Sequence, residues 1–538
     1  MTIKKIKLRK IFLLVIFLPF ILFVFLMSKR MYNNTDKYPE DETITINLSE
    51  IPQIPWDASK AVSHVIETFS ASVNGSLIPK EQAYFDDELP QNTLLEKYYC
   101  ENFACHARLK KNILFHNKRE VTAYDVEFSL IREQISNIKS KLLASILDDI
   151  VDFDKLSHQN IIFSKINSIE YPTGLIEGIK VIDDYNIVFK LKRKNNLFFN
   201  KISIGRIPIV PIEEFDNTYS HWNKYPIGFG KYKVDYVDWE NYIFVLKKAK
   251  NSENIPKYIK FIFSNKDEGD IKILLGDSGR GKSGTDRRII FPHIYSNGGF
   301  LFNFRTELGR NPKFREAVSL ALNRNLIASK SLYKEILPED QMIPIFSSIK
   351  EYRAEIPIQK QNIERAKALL NEIPQELWKD KVFHIHTYWA NIKNINSLPY
   401  IREIIYQLKN VGIQTVFYDT DLTYTRFRDD DENVLWWTGF GFSSNDPNKN
   451  FAFFKKSSYF EKESPDDPVY ESMYEKSVNS APNNILFTKN LSKYFTEKNI
   501  FVVVLNQKMS FAYNSDRISS LGEQHNGVLF YVWKMKLR

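Results

Sequence analysis

The chain has 538 residues, more than one core usually supports, with 43% hydrophobic and 26% charged residues, so it is a folded protein of two or three lobes and not a disordered one. Its net charge of +9 suggests nucleic acid until the charges are located: Lys4, Lys5, Lys7, Arg9, Lys10, Lys29 and Arg30 supply seven of the nine, and the first thirty residues hold no acid. The body after Arg30 is nearly neutral, and nucleic-acid binding loses its main electrostatic support.

Ile11 to Met27 is an uncharged, almost wholly apolar run of seventeen residues behind five basic ones. It just reaches the length of a spanning helix, and Pro19 within it is tolerated there. The positive charges ahead of it predict residues 1–10 in the cytoplasm and the body outside. No A-x-A-like site follows, since the residues are Phe25-Leu26-Met27-Ser28-Lys29, and no Cys lies nearby to accept lipid. The run 11–27 therefore reads as an uncleaved transmembrane anchor in preference to a cleaved signal. Residues 28–45 are polar without apolar period and read as a tether.

From Ile44-Thr45-Ile46-Asn47-Leu48 the chain alternates like a strand, and Ala61 to Phe69 has helical period. Cys100 and Cys105, the only cysteines, flank a predicted hairpin turn. Outside the cytoplasm they can form a disulfide across it; the alternative is two free thiols. His106 follows, but four residues separate the cysteines where a haem-attachment motif has two. Nine histidines and no Cys/His cluster give no structural zinc site. Leu109 to Val126 then reads as a strand, a tight turn at His116-Asn117-Lys118, a short return and a helix start. Thr122 and Asp125 there form a variant capping box.

Gly178 to Leu191 is two alternating strands around Asp183-Asp184. Ile209-Val210-Pro211 leads to Pro226-Ile227-Gly228-Phe229-Gly230-Lys231-Tyr232. Gly276-Asp277-Ser278-Gly279-Arg280-Gly281-Lys282-Ser283 satisfies the Walker A pattern after a predicted strand. Phosphate binding needs a helix to follow, and Gly284 and Pro292 with β-branched residues between them do not provide one. The loop reads as a Gly/Ser-rich connection, with a nucleotide-binding enzyme as the minor alternative. Asn311-Pro312-Lys313-Phe314-Arg315-Glu316-Ala317 opens an amphipathic helix with Pro in its first turn. Leu435-Trp436-Trp437-Thr438-Gly439 is a strand, and Asp446-Pro447 follows in a loop.

Taken in order, these segments resemble the family 5 extracellular solute-binding proteins, the oligopeptide-, dipeptide- and nickel-binding receptors of ABC importers. The strand–hairpin–helix at 109–126, the two glycines and tyrosine of 226–232, and the Asn-Pro helix at 311–324 carry the likeness. The resemblance implies an α/β, bilobed periplasmic-binding-protein-like fold. Lobe I is expected at 46–262 with a subdomain inserted near 83–169, lobe II at 263–509, and a return to lobe I at 510–538. It implies a receptor on the periplasmic or extracellular face of a bacterial cytoplasmic membrane. The receptor would be a monomer that binds a peptide-like solute between the lobes and passes it to ABC permease subunits. An anchored sensor or structural module without transport is the alternative.

Neither Gly-x-Ser-x-Gly nor His-Glu-x-x-His occurs, so no enzyme is expected, and no cofactor or metal. The ligand-binding residues implied are Trp436, Trp437, Thr438, Gly439, Phe440 and Asp446. Backbone groups of that strand would pair with an extended peptide. Neighbouring strand residues face opposite ways, so at most one tryptophan is expected to meet ligand, the other serving as core. Phe440 stands where the family places the carboxylate for a peptide's α-amine, which leaves Asp446 as the acid to replace it.

Overall fold

The computed structural model describes residues 37–47, 57, 65–75, 77–78, 93–136, 147–156, 161–195, 198–202, 207–250, 255–263, 266, 268–274, 285–331, 334–345, 347, 349–387, 395–419, 433–441, 446–456, 464–479, 485–522 and 531–538. The predicted anchor at 11–27 and the Walker-like loop 276–283 lie outside them. Among the described residues no helix is long and apolar enough to cross a membrane.

Alternating β-branched and aromatic residues build one eleven-stranded sheet through the molecule. From one edge to the other its strands are Gln414–Asp419, Val382–Thr387, Leu435–Thr438, Asp286–Phe302, Phe501–Asn514, Ile271–Leu274, Thr43–Asn47, Tyr258–Ile262, Ile243–Lys248 and Tyr232–Asp238, with Ile336–Pro338 added beside Phe501–Asn514. Thr43–Asn47 lies between two parallel neighbours and is covered on both faces, since Thr43 and Asn47 are buried as well as Ile44 and Ile46.

Three apolar clusters divide the chain. Ile46, Phe69, Phe244, Phe261 and Phe511 centre the first. Leu109, Phe115, Val126, Phe128 and Phe189 centre the second. Phe300, Phe314, Trp436, Trp437 and Val504 centre the third. The first and third are the two lobes, and the second is a subdomain inserted into the first.

Lys37 and Tyr38 bind Asp235 just ahead of the strand Thr43–Asn47. The inserted core reaches from Leu77 to Phe215, since Asn186–Lys190 completes the sheet begun by the cysteine hairpin. Ile271–Leu274 pairs with Thr43–Asn47 and with residues 510–513, and Ile271 packs in the first cluster.

The lobes are joined by two long antiparallel strands, Asp286–Phe302 and Phe501–Asn514. At one end Asp286 to Ile290 pairs with Asn514 to Ser510; at the other Gly299 to Leu301 pairs with Val503 to Phe501. Register shifts fall between them, around Ile290, Ile294 and Ser296 and again at Gly298. Such bulges bend and twist a ribbon, which makes this segment the candidate hinge. Glu335 is buried beside it, pairing with Arg288 and accepting from Ser510 Oγ at 2.7 Å.

A second joint ties the subdomain to its own lobe. Gly75 ends the helix Val65–Val73 with φ of 73°. Phe229 N–H donates to Asn74 O and Gly230 N–H to Val73 O. A Cβ on Gly228 would lie 2.1 Å from Asn74 Cα, and one on Gly230 2.2 Å from Ser72 O. The His116 turn closes the joint: its N–H donates to Gly228 O at 2.8 Å, and its Nε2 lies 2.9 Å from Gly230 O.

Candidate functional site

The strand Leu435–Thr438, the candidate ligand seat, sits inside the sheet. It pairs antiparallel with residues 299–302 on one side and meets Val382–Thr387 on the other through Thr387 and Trp437. Its continuation is pinned to the hinge strand: Phe440 N–H donates to Asn297 Oδ1 at 2.9 Å, Asn297 N–H donates to Phe440 O at 3.2 Å, and Gly441 bridges to Ser296. Gly439 is the residue this approach allows, since a Cβ there would lie 2.2 Å from Asn297 O. Thr438 is half-buried and Gly439 exposed, so this pair turns toward solvent at the strand's end.

Trp436 and Trp437 behave alike. Both are fully buried, and Trp437 meets Phe300 and Phe417 edge-on at 5.1 and 5.8 Å. Both indoles pack in the third apolar cluster, where the strand has covered neighbours on both faces. Phe440 is also buried, against Phe453, Phe454 and Phe501 with ring centroids 5.7, 5.4 and 5.1 Å away. Its ring fills the lobe's core, and an α-amine finds no carboxylate at this position.

Asp446 is half-buried and caps a turn, accepting from Asn448 N–H at 2.9 Å. Burial pushes its carboxyl up, while Lys201 and Arg193 of the inserted subdomain pull it back and Asp149 adds to the rise. Asp446 thus lies where the far lobe meets the subdomain.

The subdomain's side of that boundary is a charge cluster that sequence reading missed. Asp149, 2% exposed, receives Lys201 Nζ at 2.9 Å, Asn195 Nδ2 at 3.1 Å and Arg193 Nη2 at 2.5 Å. Lys201 also reaches Asp148 at 2.9 Å. Burial would raise the Asp149 carboxyl, but Lys201 and Arg193 outweigh it and hold it below the usual carboxylate range. From the far lobe come Tyr474 and Glu475 on the helix Pro468–Asn479, with Glu475 Oε2 3.7 Å from Arg193 Nη1. Nothing local marks these residues, because Arg193 and Glu475 stand far apart in the chain and neither lies in a motif.

Cys100 and Cys105 pair directly across the hairpin and are joined by a disulfide, with Cα atoms 4.0 Å apart. Among the described residues no group of three His, Cys, Asp or Glu side chains is placed to hold a metal. The chain after the Walker-like loop enters the strand Asp286–Phe302, where phosphate binding requires a helix.

The model of the bacterial extracellular solute-binding proteins, family 5, matches residues 102–462. No curated protein matches the chain by sequence. Among solved structures, Haemophilus influenzae OppA in complex with the peptide RPPGFSPFR superposes with a TM-score of 0.74 at 15% identity, covering 93% of this chain and 99% of that one. The Escherichia coli murein tripeptide binding protein MppA gives 0.74 at 14% identity, covering 92% and 98%. NikA from Staphylococcus aureus in complex with Ni(L-His)2 gives 0.70 at 14% identity, covering 92% and 100%.

Proposed function

This chain belongs to the family 5 bacterial extracellular solute-binding proteins, and from that premise we propose that it is the membrane-held receptor of an ABC importer for a peptide-like solute. The solute lies between the lobes against the backbone of Thr438 and Gly439. Residues 11–27 anchor the chain with its body outside the cytoplasm, and permease subunits take the solute on. The receptor is not a catalyst.

The observation that carries this reading is the seating of 439–441 on the hinge strand through Asn297. A solute on that strand end contacts the element about which the lobes move, so its binding favours the closed state. Backbone pairing is indifferent to side chains, which suits a receptor for varied peptides. Phe440 in the core makes recognition of a free α-amine at that position unfavourable, so the preferred solute is a blocked or extended peptide. The same residue favours the second reading, a module of this fold without transport.

Mass spectrometry of what co-purifies with residues 31–538, followed by thermal shifts with peptide pools and with ATP–magnesium, tests the proposal. Stabilisation by peptides supports the receptor, none by any solute supports the second reading, and stabilisation by ATP alone sinks both.

A further inference from the structure

The charge cluster at the lobe boundary has a particular arrangement. Arg193 holds Asp149 at 2.5 Å on its own subdomain and Glu475 at 3.7 Å across the boundary. Glu475 in turn holds Lys455 of its own lobe at 3.0 Å. Each member of the cross-lobe pair therefore keeps a home partner when the lobes part.

This matters energetically. Breaking a buried ion pair so that one charge is left alone is costly and would lock the lobes shut. With a home partner on each side, opening orphans no charge, and the cross pair adds only a small bias. Arg193 is also held in place: Lys192 N–H donates to Asp149 O at 2.7 Å, and Leu191 N–H donates to Phe103 O in the disulfide hairpin at 2.7 Å. Opposite it, Lys455 lies over the Tyr474 ring at 5.0 Å, which fixes the direction from which Glu475 is approached.

We propose that Arg193 and Glu475 form a reversible latch that favours the closed molecule before any solute binds. From the receptor reading the proposal takes only that the lobes move about the hinge ribbon. Lys455 competes with Arg193 for Glu475, so it opposes the latch.

Single-molecule energy transfer between dyes on the inserted subdomain and on the helix Pro468–Asn479, placed through non-natural residues to spare the disulfide, reads the closed fraction without solute. Glu475→Gln is expected to lower the closed-to-open ratio roughly three- to fivefold, and Glu475→Arg further. Lys455→Gln removes the competitor and is expected to raise it. Glu475 is on a helix surface, and circular dichroism checks that each variant folds. Unchanged distances in both Glu475 variants overturn the latch, as does opening by Lys455→Gln equal to that by Glu475→Gln. Because the readout needs no solute, failure to find a ligand counts against the receptor reading alone.

Discussion

Glu127 and His116 place opposite demands on the folded state. Glu127 is 3% exposed with Gly174 N–H donating to it at 3.1 Å; burial pushes its carboxyl up to about 7. A carboxyl whose folded pKa exceeds its unfolded one binds more protons when folded, so stability falls as pH rises from about 4.5 to about 7, by about 3 kcal/mol. His116 is pushed down to about 4 by burial, against the pull of the Gly230 carbonyl. Its unfolded form takes the proton first, so its contribution is whole above about 6.5 and is lost as pH falls toward 4. The two trends oppose one another between pH 4.5 and 6.5. Glu127→Gln keeps the acceptor for Gly174 and removes the ionisation. It is expected to stabilise the protein by about 2–3 kcal/mol at pH 8 and by nearly nothing at pH 4.5. Urea unfolding across that range decides it; a gain independent of pH would show that repacking, not ionisation, is responsible.

At the scale of elements, the turns and caps were legible because their physics is local. The His116 turn and Gly228-Phe229-Gly230 read as two separate matches along the chain, and the fold brings both to one joint with Gly75. Thr122 N–H donates to Asp125 Oδ2 at 2.8 Å, while Arg119 holds the same carboxylate with two bonds of 2.9 and 2.7 Å. Asn311 likewise caps the helix Pro312–Leu320 that the Asn-Pro pair announces. The facing of Trp436, Trp437 and Phe440 was not legible, since period 2 says which residues alternate and not which faces are covered. Nor was the Asp149–Arg193–Lys201 cluster, whose partners meet only through tertiary packing.

Two predictions belong to these elements. Gly228→Ala sets a Cβ against Asn74 Cα, backbone on backbone with no flexible side chain to yield, and is expected to cost about 3 kcal/mol or more in thermal or urea unfolding. A loss under 1 kcal/mol would mean that the helix end shifts freely and the joint is soft. Replacing both Cys100 and Cys105 by Ser removes a short loop closure and is expected to cost about 2 kcal/mol. Dithiothreitol should lower the wild-type midpoint similarly and leave the double variant unmoved. An equal response in both would show that the bond is not present in solution.

For the whole molecule the question is whether the hinge and the strand end act as one unit. Asn297 is the group that makes them so: fully within the ribbon, it accepts from Phe440 N–H through Oδ1 and donates through Nδ2 toward Met342 O at 3.5 Å. Asn297→Ala leaves a buried N–H without its acceptor, which costs about 1–3 kcal/mol of stability. The loss to solute binding should exceed what that instability explains, because Gly439 is then no longer held at the angle the hinge sets. Calorimetry with whichever solute co-purifies should show weaker binding by about tenfold for Asn297→Ala, while Trp437→Phe, a change inside the core, costs stability with little change in affinity. If both variants lose affinity in proportion to stability, the strand end is an ordinary piece of the lobe. If Asn297→Ala alone loses affinity beyond what its instability explains, the solute is read through the same bond that joins its seat to the moving ribbon.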